Sequence, residues 1–200
     1  MLAGSSPLET CVTVPHDPTA TIVINKEWAA RGQLHTAISL WFSNGDPVSI
    51  HTLAAAAQGI LQGLVGKNHD KPHMREWIKK LSPDVRKKVR DPQNFFKHAS
   101  TDPKETRLYQ PYIGDLIIAD AALLHQDLYG LTPGIRAFTI RLSFEQPGIF
   151  KPEELAEQIT QGIRIDDLGS LERPVFLEAV LARFSAVEQK RGPTGNGLPA

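Results

Sequence analysis

The sequence is poor in cysteine, since Cys11 is the only one in 200 residues. A single cysteine excludes an intramolecular disulfide and a cysteine-rich zinc site, and it fits a reducing, cytoplasmic setting. An excess of charge of either sign is also lacking, because 22 Lys and Arg balance 22 Asp and Glu. That balance excludes a strongly basic nucleic-acid-binding surface over the whole chain, while a local basic patch stays open.

Long apolar runs and sequence motifs of common enzymes are absent as well. No apolar run reaches the roughly 18–20 residues required to cross a bilayer, so we expect no membrane as a partner. The first residues show no basic stretch followed by an apolar one, and we expect no signal peptide. The chain has no Gly-x-Ser-x-Gly, no Gly-x-x-x-x-Gly-Lys and no Gly-x-Gly-x-x-Gly. These absences give no support for a serine hydrolase, a phosphate-binding loop or a dinucleotide cofactor.

The seven histidines do not form a metal-binding pattern. No Glu-x-x-His occurs, and the only histidines four positions apart, His69 and His73, have Pro72 between them. Helical metal sites place their ligands on one face of a regular helix, which Pro72 interrupts. We therefore expect no metal and no cofactor.

The 15 prolines are the most informative residues that are present. The pairs Asp46-Pro47, Ser82-Pro83, Asp91-Pro92 and Thr132-Pro133 each place a polar capping residue before proline at the start of a predicted helix. Such pairs are typical helix starts, because the polar side chain accepts from free amides and proline suits the first helical position. Apolar residues at three- and four-residue steps predict the main helices at 27–43, 47–64 and 111–129.

These signals predict an all-α fold, a single compact multi-helix bundle with a short extended segment at 21–24. Further helices are predicted at 72–81, 134–144, 151–162 and 174–189, with a strand as the alternative at 134–144. We expect a flexible leader at 1–20, a helical domain at 21–190 and a disordered tail at 191–200. The tail is rich in Gly and Pro, which cannot form a packed core.

The residues most capable of chemistry lie in the predicted helix that begins at Asp91-Pro92. Asn94 and His98 are four positions apart and share a helix face, and Gln93 and Lys97 form the neighbouring stripe. Phe95 and Phe96 are expected to anchor this helix in the core. Candidate catalytic residues are His98, Asn94, Lys97 and Arg90, and candidate binding residues are His51, Gln93 and Asp102.

His51 is included because it lies in the first turn of the second predicted helix, at the edge of an apolar stripe. A polar residue at such an edge requires a partner, and we expect His51 in a polar pocket with Asn94 or His98. The basic run Arg86-Lys87-Lys88 is interpreted as a solvated helix face, and a role in binding RNA phosphates stays open.

Two segments resemble a known protein family. QLHTAISLWFSNGDPVSIHTL at 33–53 and NFFKHA at 94–99 resemble an uncharacterised family of small bacterial, mostly proteobacterial, proteins. With the helix at 115–130, the resemblance covers residues 22–145, and it implies no known activity.

A more distant similarity is to HEPN domains, helical bundles that include metal-independent RNases. Their motif has an Arg, then a polar residue such as Asn, and a His four to six positions after the Arg. Asn94 and His98 match it, whereas Gln93 occupies the Arg position. The resemblance implies RNA as a partner, a homodimer, and His98 as general acid or base. Asn94 would orient the phosphate, and Lys97 or Arg90 would stabilise charge on phosphorus.

The sequence therefore supports two hypotheses of different classes. Because Gln93 cannot supply the permanent cation of the motif, we favour a non-catalytic binding or structural helical module. The alternative is a divergent HEPN-like RNase that uses His98.

Overall fold

A computed structural model describes residues 21–66, 82–83, 91–96, 104–147, 155, 157–160 and 162–191. Six helices have both ends within these ranges: α1 (Lys26–Phe42), α2 (Pro47–Val65), α3 (Tyr112–Tyr129), α4 (Pro133–Glu145), α5 (Glu157–Thr160) and α6 (Arg173–Arg191). Residues 91–96 are also helical, and no strand occurs in the described ranges. The predicted all-α fold is confirmed, and residues 134–144 are helical.

The helices begin where the polar caps predict. The side chains of Asn25 and Asp46 each accept a 2.7 Å hydrogen bond from a backbone amide in the first turn of α1 and α2. Thr132 accepts from the Ile135 amide at 3.3 Å at the start of α4. Helix α3 ends at Gly130, whose φ of 84° lies in the region that glycine tolerates best.

Contacts group the described residues into two units, one that ends at Leu131 and one that begins at Thr132. In the first unit, α2 packs against both α1 and α3. The core consists of fully buried apolar side chains from all three helices: Leu34, Ile38, Trp41, Ala54, Ala57, Leu61, Ile118, Ala121 and Leu124. The four alanines at 54–57 lack bulk, which permits close approach of α2 to its neighbours.

Buried polar pairs link these three helices. The Trp41 indole donates to the Asp115 carboxylate at 2.7 Å, which joins α1 to α3. The Gln58 amide donates to Asp120 at 2.7 Å, which joins α2 to α3. Each pair supplies a hydrogen bond to a buried carboxylate of α3. A charged group can be buried only when such partners replace its contacts with water.

Three apolar residues that the periodicity predicts to be buried are exposed instead. Trp28, Leu64 and Leu123 are 46%, 41% and 47% exposed. Trp28 lies in the first turn of α1 and Leu64 in the last turn of α2. In α3 the buried face includes Gly114, Asp115, Ile118 and His125, so it is rotated away from Leu123.

In the second unit, α4 packs against α5 and α6. Its core includes Phe138, Leu142, Leu168, Phe176 and Phe184. A network of partly buried ion pairs stabilises this core. The Glu145 carboxylate accepts from Arg173 at 2.6 Å and from Arg141 at 2.7 Å. Arg141 also donates to the Gly169 and Leu171 carbonyls, at 3.2 and 2.6 Å, and so fixes the segment that precedes α6.

Helix α2 is long and apolar enough to cross a membrane by length and composition. Core helices of water-soluble bundles pass the same test, and this helix packs against α1 and α3. The helix predicted at 72–81 and the leader at 1–20 lie outside the described residues. Of the disordered tail predicted at 191–200, Arg191 is the last residue of α6 instead, and the rest lies outside the described residues. One helical domain over 21–190 stays a prediction.

Candidate functional site

A cluster of three rings connects α2, the helical stretch at 91–96 and the connector that precedes α3. The His51 ring lies 5.3 Å from the Phe96 ring and 5.6 Å from the Tyr109 ring, and Phe96 and Tyr109 are 5.2 Å apart. All three pairs are close to perpendicular, which is the edge-to-face geometry that aromatic rings prefer. The cluster therefore holds the 91–96 stretch and the connector against the start of α2.

A hydrogen bond fixes the polar side of this cluster. His51 is completely buried, and its Nδ1 atom lies 3.1 Å from the Tyr109 hydroxyl. The tautomer of His51 decides which group donates. Gly114 gives the hydroxyl room, because a Cβ atom at this position would lie only 3.2 Å from the Tyr109 oxygen.

The environment of Tyr109 keeps its hydroxyl protonated. Burial, and to a lesser extent the negative charge of Asp115, raise the pKa of Tyr109 to about 12. A neutral phenol can donate as well as accept, so it suits a hydrogen bond to an imidazole. It is less suited to supply a nucleophile or a general base near neutral pH.

A cavity of about 410 Å³ opens beside the ring cluster. The walls comprise Asp91, Pro92, Phe95 and Phe96 from the helical stretch, residues 107–110 from the connector, and Ile113 from α3. This volume falls within the range of roughly 300–1,000 Å³ that is usual for small-molecule sites. The walls are mainly apolar and aromatic, with a few charged and polar groups, as such sites require.

Among the described residues, the cation in the cavity wall is Arg107, and two carboxylates contact it. Arg107 donates from Nε to Glu105 at 2.8 Å, and its Nη1 atom lies 3.3 Å from Asp91. The guanidinium also lies over the Phe95 ring, 5.1 Å from its centre. The Arg107 side chain is 36% exposed and that of Asp91 is 30% exposed, so both reach solvent. Because Arg107 faces two carboxylates, the described rim carries no net positive charge that would attract a phosphate.

The predicted site residues have different outcomes. The His51 ring lies against Phe96 of the 91–96 stretch and against Tyr109 of the connector. Asn94 is exposed and Gln93 is half-buried. His98, Lys97, Arg90 and Asp102 lie outside the described residues, so their roles and a pairing of His51 with His98 stay predictions.

Sequence reasoning missed Tyr109 and Arg107, which the pattern assigns to a connector of no special interest. Residues 105–110 have no regular secondary structure, so no periodicity indicates which side chains point inward. The available signal is compositional, namely a tyrosine and an arginine close together before a helix. That signal is too common to identify a site.

A second polar ring cluster lies at the other end of α3. The buried His125 is 5.8 Å from the His35 ring and 5.3 Å from the Tyr129 ring, and its Nδ1 atom lies 3.0 Å from the Gly130 carbonyl oxygen. This bond stabilises the end of α3.

Within the described part of the chain, no group of three or more His, Cys, Asp or Glu side chains is arranged to hold a metal ion.

Comparison with protein-family models, with curated proteins and with solved structures found no match for this chain.

Proposed function

We propose that this protein is a non-catalytic binding module and that the cavity beside Phe96 and Tyr109 is its binding site. The observation that carries the proposal is the cavity of about 410 Å³, whose walls combine three aromatic rings with one arginine. Rings supply contact area at a low cost in side-chain entropy, and a single polar group orients a ligand.

The rigid support of the walls favours binding of a small molecule. Phe96 and Tyr109 are each held by His51, which is completely buried, and Phe95 packs on Phe96 at 6.0 Å. A site whose walls are fixed before the ligand arrives avoids much of the entropy lost on binding. The described walls hold neither a cysteine nor a histidine, and the pKa of Tyr109 is too high for a base.

Calorimetry with a panel of small planar ring compounds tests this function. We expect saturable binding to the wild type and its loss in Ile113→Trp, in which the larger side chain fills the cavity from α3. Trp28→Phe changes an exposed residue of α1 and serves as the matched control, with unchanged affinity expected. No binding of any panel member to the folded wild type would contradict the proposal.

The RNase alternative depends on His98, with RNA as substrate and a homodimer as the active form. Mixed RNA is incubated without metal with the wild type and with His98→Ala. For a binding module, RNA remains intact with both proteins. Cleavage by the wild type that is lost in His98→Ala, while the variant still melts cooperatively, would replace the binding module with the RNase.

A further inference from the structure

We infer that the cavity takes a neutral, planar heteroaromatic molecule of the nucleobase type, with a hydrogen-bond donor beside an acceptor on its edge. This inference rests on the proposed binding function and specifies the chemistry of its ligand. The observation behind it is that Asp91 and Arg107 both line the cavity, where their side chains lie 3.3 Å apart.

The pair presents an acceptor next to a donor at the solvent-accessible side of the cavity. A carboxylate has acceptor sites on two oxygens, and a guanidinium has five N–H donors. The contacts of Arg107 with Glu105 and Asp91 use its Nε and Nη1 atoms, so these contacts can persist while other N–H groups donate to a ligand. A ligand edge with adjacent acceptor and donor, such as N7 and the N6 amino group of adenine, is complementary to this pair.

The apolar walls require that the rest of the ligand be flat and uncharged. Phe95, Phe96 and Tyr109 offer ring faces and edges, and base–aromatic stacking is a general source of affinity for nucleobases. A charged ligand is disfavoured, because Arg107 is already neutralised by Asp91 and Glu105. An added anion would face these two carboxylates, and an added cation would face Arg107.

The size of the cavity agrees with this ligand class. The cavity of about 410 Å³ accommodates a ligand of one or two fused rings, and smaller ligands also fit. Selectivity therefore comes from the hydrogen-bonding edge of the ligand and not from volume alone. The ion pair is partly exposed, and exposed pairs contribute little stability, so a small shift of either side chain toward a ligand has a low cost.

The test compares adenine with indole, a fused ring of similar size that lacks the adjacent donor and acceptor, and with adenosine monophosphate. Calorimetry on the full chain is expected to show adenine binding about tenfold more tightly than indole, as one good bidentate contact provides. Adenosine monophosphate is expected to bind no more tightly than adenine.

Two variants test whether the Asp91–Arg107 ion pair causes the preference for adenine over indole. Asp91→Asn and Arg107→Met should each bring the affinity for adenine to within about threefold of that for indole, with indole affinity unchanged. Asp91→Asn is close in shape to the wild type, and its melting curve shows whether the fold is retained if Arg107→Met does not fold. Tyr112→Phe, at an exposed position of α3, is the control that should keep the full preference.

The outcomes separate the ligand class from the binding function. Equal binding of indole and adenine to the wild type overturns the ligand class and leaves the binding module intact. Binding of adenosine monophosphate at least tenfold more tightly than adenine also overturns it, because the site would then recognise phosphate. Absence of binding by all three compounds, together with the planar ring panel, overturns both proposals.

Discussion

The Tyr109 hydroxyl and the Nδ1 atom of His51 lie 3.1 Å apart, and this contact joins residues 58 positions apart in the chain. It ties the connector before α3 to the first turn of α2. Phe96 packs on both rings, so the same contact positions one wall of the cavity. The stability of the cavity and the stability of this pair are therefore linked.

Removal of the Tyr109 hydroxyl tests this link. We expect Tyr109→Phe to lower the free energy of unfolding of the first unit by about 1–2 kcal/mol, because the buried imidazole of His51 loses this hydrogen bond. Urea unfolding followed by tryptophan fluorescence measures it, since all three tryptophans precede residue 131. Tyr112→Phe is the control. Equal stability of Tyr109→Phe and the wild type would show that the bond is dispensable.

Alkaline pH should weaken the same unit. The pKa of Tyr109 is about 12 in the folded protein, above the ordinary value of 10.0 for a tyrosine. The folded state therefore holds the phenolic proton more tightly, and stability falls as the pH rises from about 10 to about 12. Urea midpoints over this pH range should fall less in Tyr109→Phe than in the wild type. Tyr112→Phe, at an exposed position of α3, is the control for removal of a tyrosine hydroxyl.

Phe96 should matter more to stability than Phe95. Both rings are half-buried, and Phe96 contacts His51 and Tyr109, whereas Phe95 packs on Phe96 and Arg107. We expect Phe96→Ala to cost about 2 kcal/mol, less than the ~3–5 kcal/mol of a fully buried phenylalanine. Phe95→Ala is expected to cost about 1 kcal/mol, because its neighbours are one ring and the partly exposed Arg107 side chain. The reverse order, by the same urea experiment, would mean that the ring cluster is not the anchor of this stretch.

Two glycine substitutions should have opposite effects. A Cβ atom at Gly169 would lie 2.9 Å from the Phe144 ring, whereas one at Gly59 meets nothing within 4 Å. Gly169→Ala should therefore destabilise the second unit, and Gly59→Ala, at an exposed helical position, should stabilise α2 by about 0.5–1 kcal/mol. Amide hydrogen exchange measures each unit separately. Unchanged exchange in α4 and α6 of Gly169→Ala would show that Phe144 moves aside without cost.

The helices could be predicted because their signals are local. Asn25, Asp46 and Thr132 cap their helices through contacts within three residues, and the apolar period identifies α1, α2 and α3. Burial at helix ends was predicted less well, as Trp28 and Leu64 show, because it depends on where the neighbouring helices stop.

Only some residues of the candidate site could be predicted from the sequence. His51 was predicted to lie near the helix that begins at Asp91-Pro92, in a polar pocket with Asn94 or His98, because a polar residue at the edge of an apolar face requires a partner. In the structure Phe96 contacts His51, whereas Asn94 is exposed. Tyr109 and Arg107 were not predicted, because their positions depend on how the connector folds back against α2 and the 91–96 stretch. Such contacts are long-range and have no period in the sequence.

Amide chemical-shift mapping of the full chain with a bound planar ring compound tests the binding-module proposal most directly. The proposal predicts saturable shifts at the amides of residues that line the cavity, among them Phe95, Phe96 and Tyr109, and none in the second unit beyond small remote effects. The same titration with Ile113→Trp should give no saturable shifts. Saturable shifts that map elsewhere on the described chain, or no shifts at ligand concentrations in the millimolar range, would contradict it.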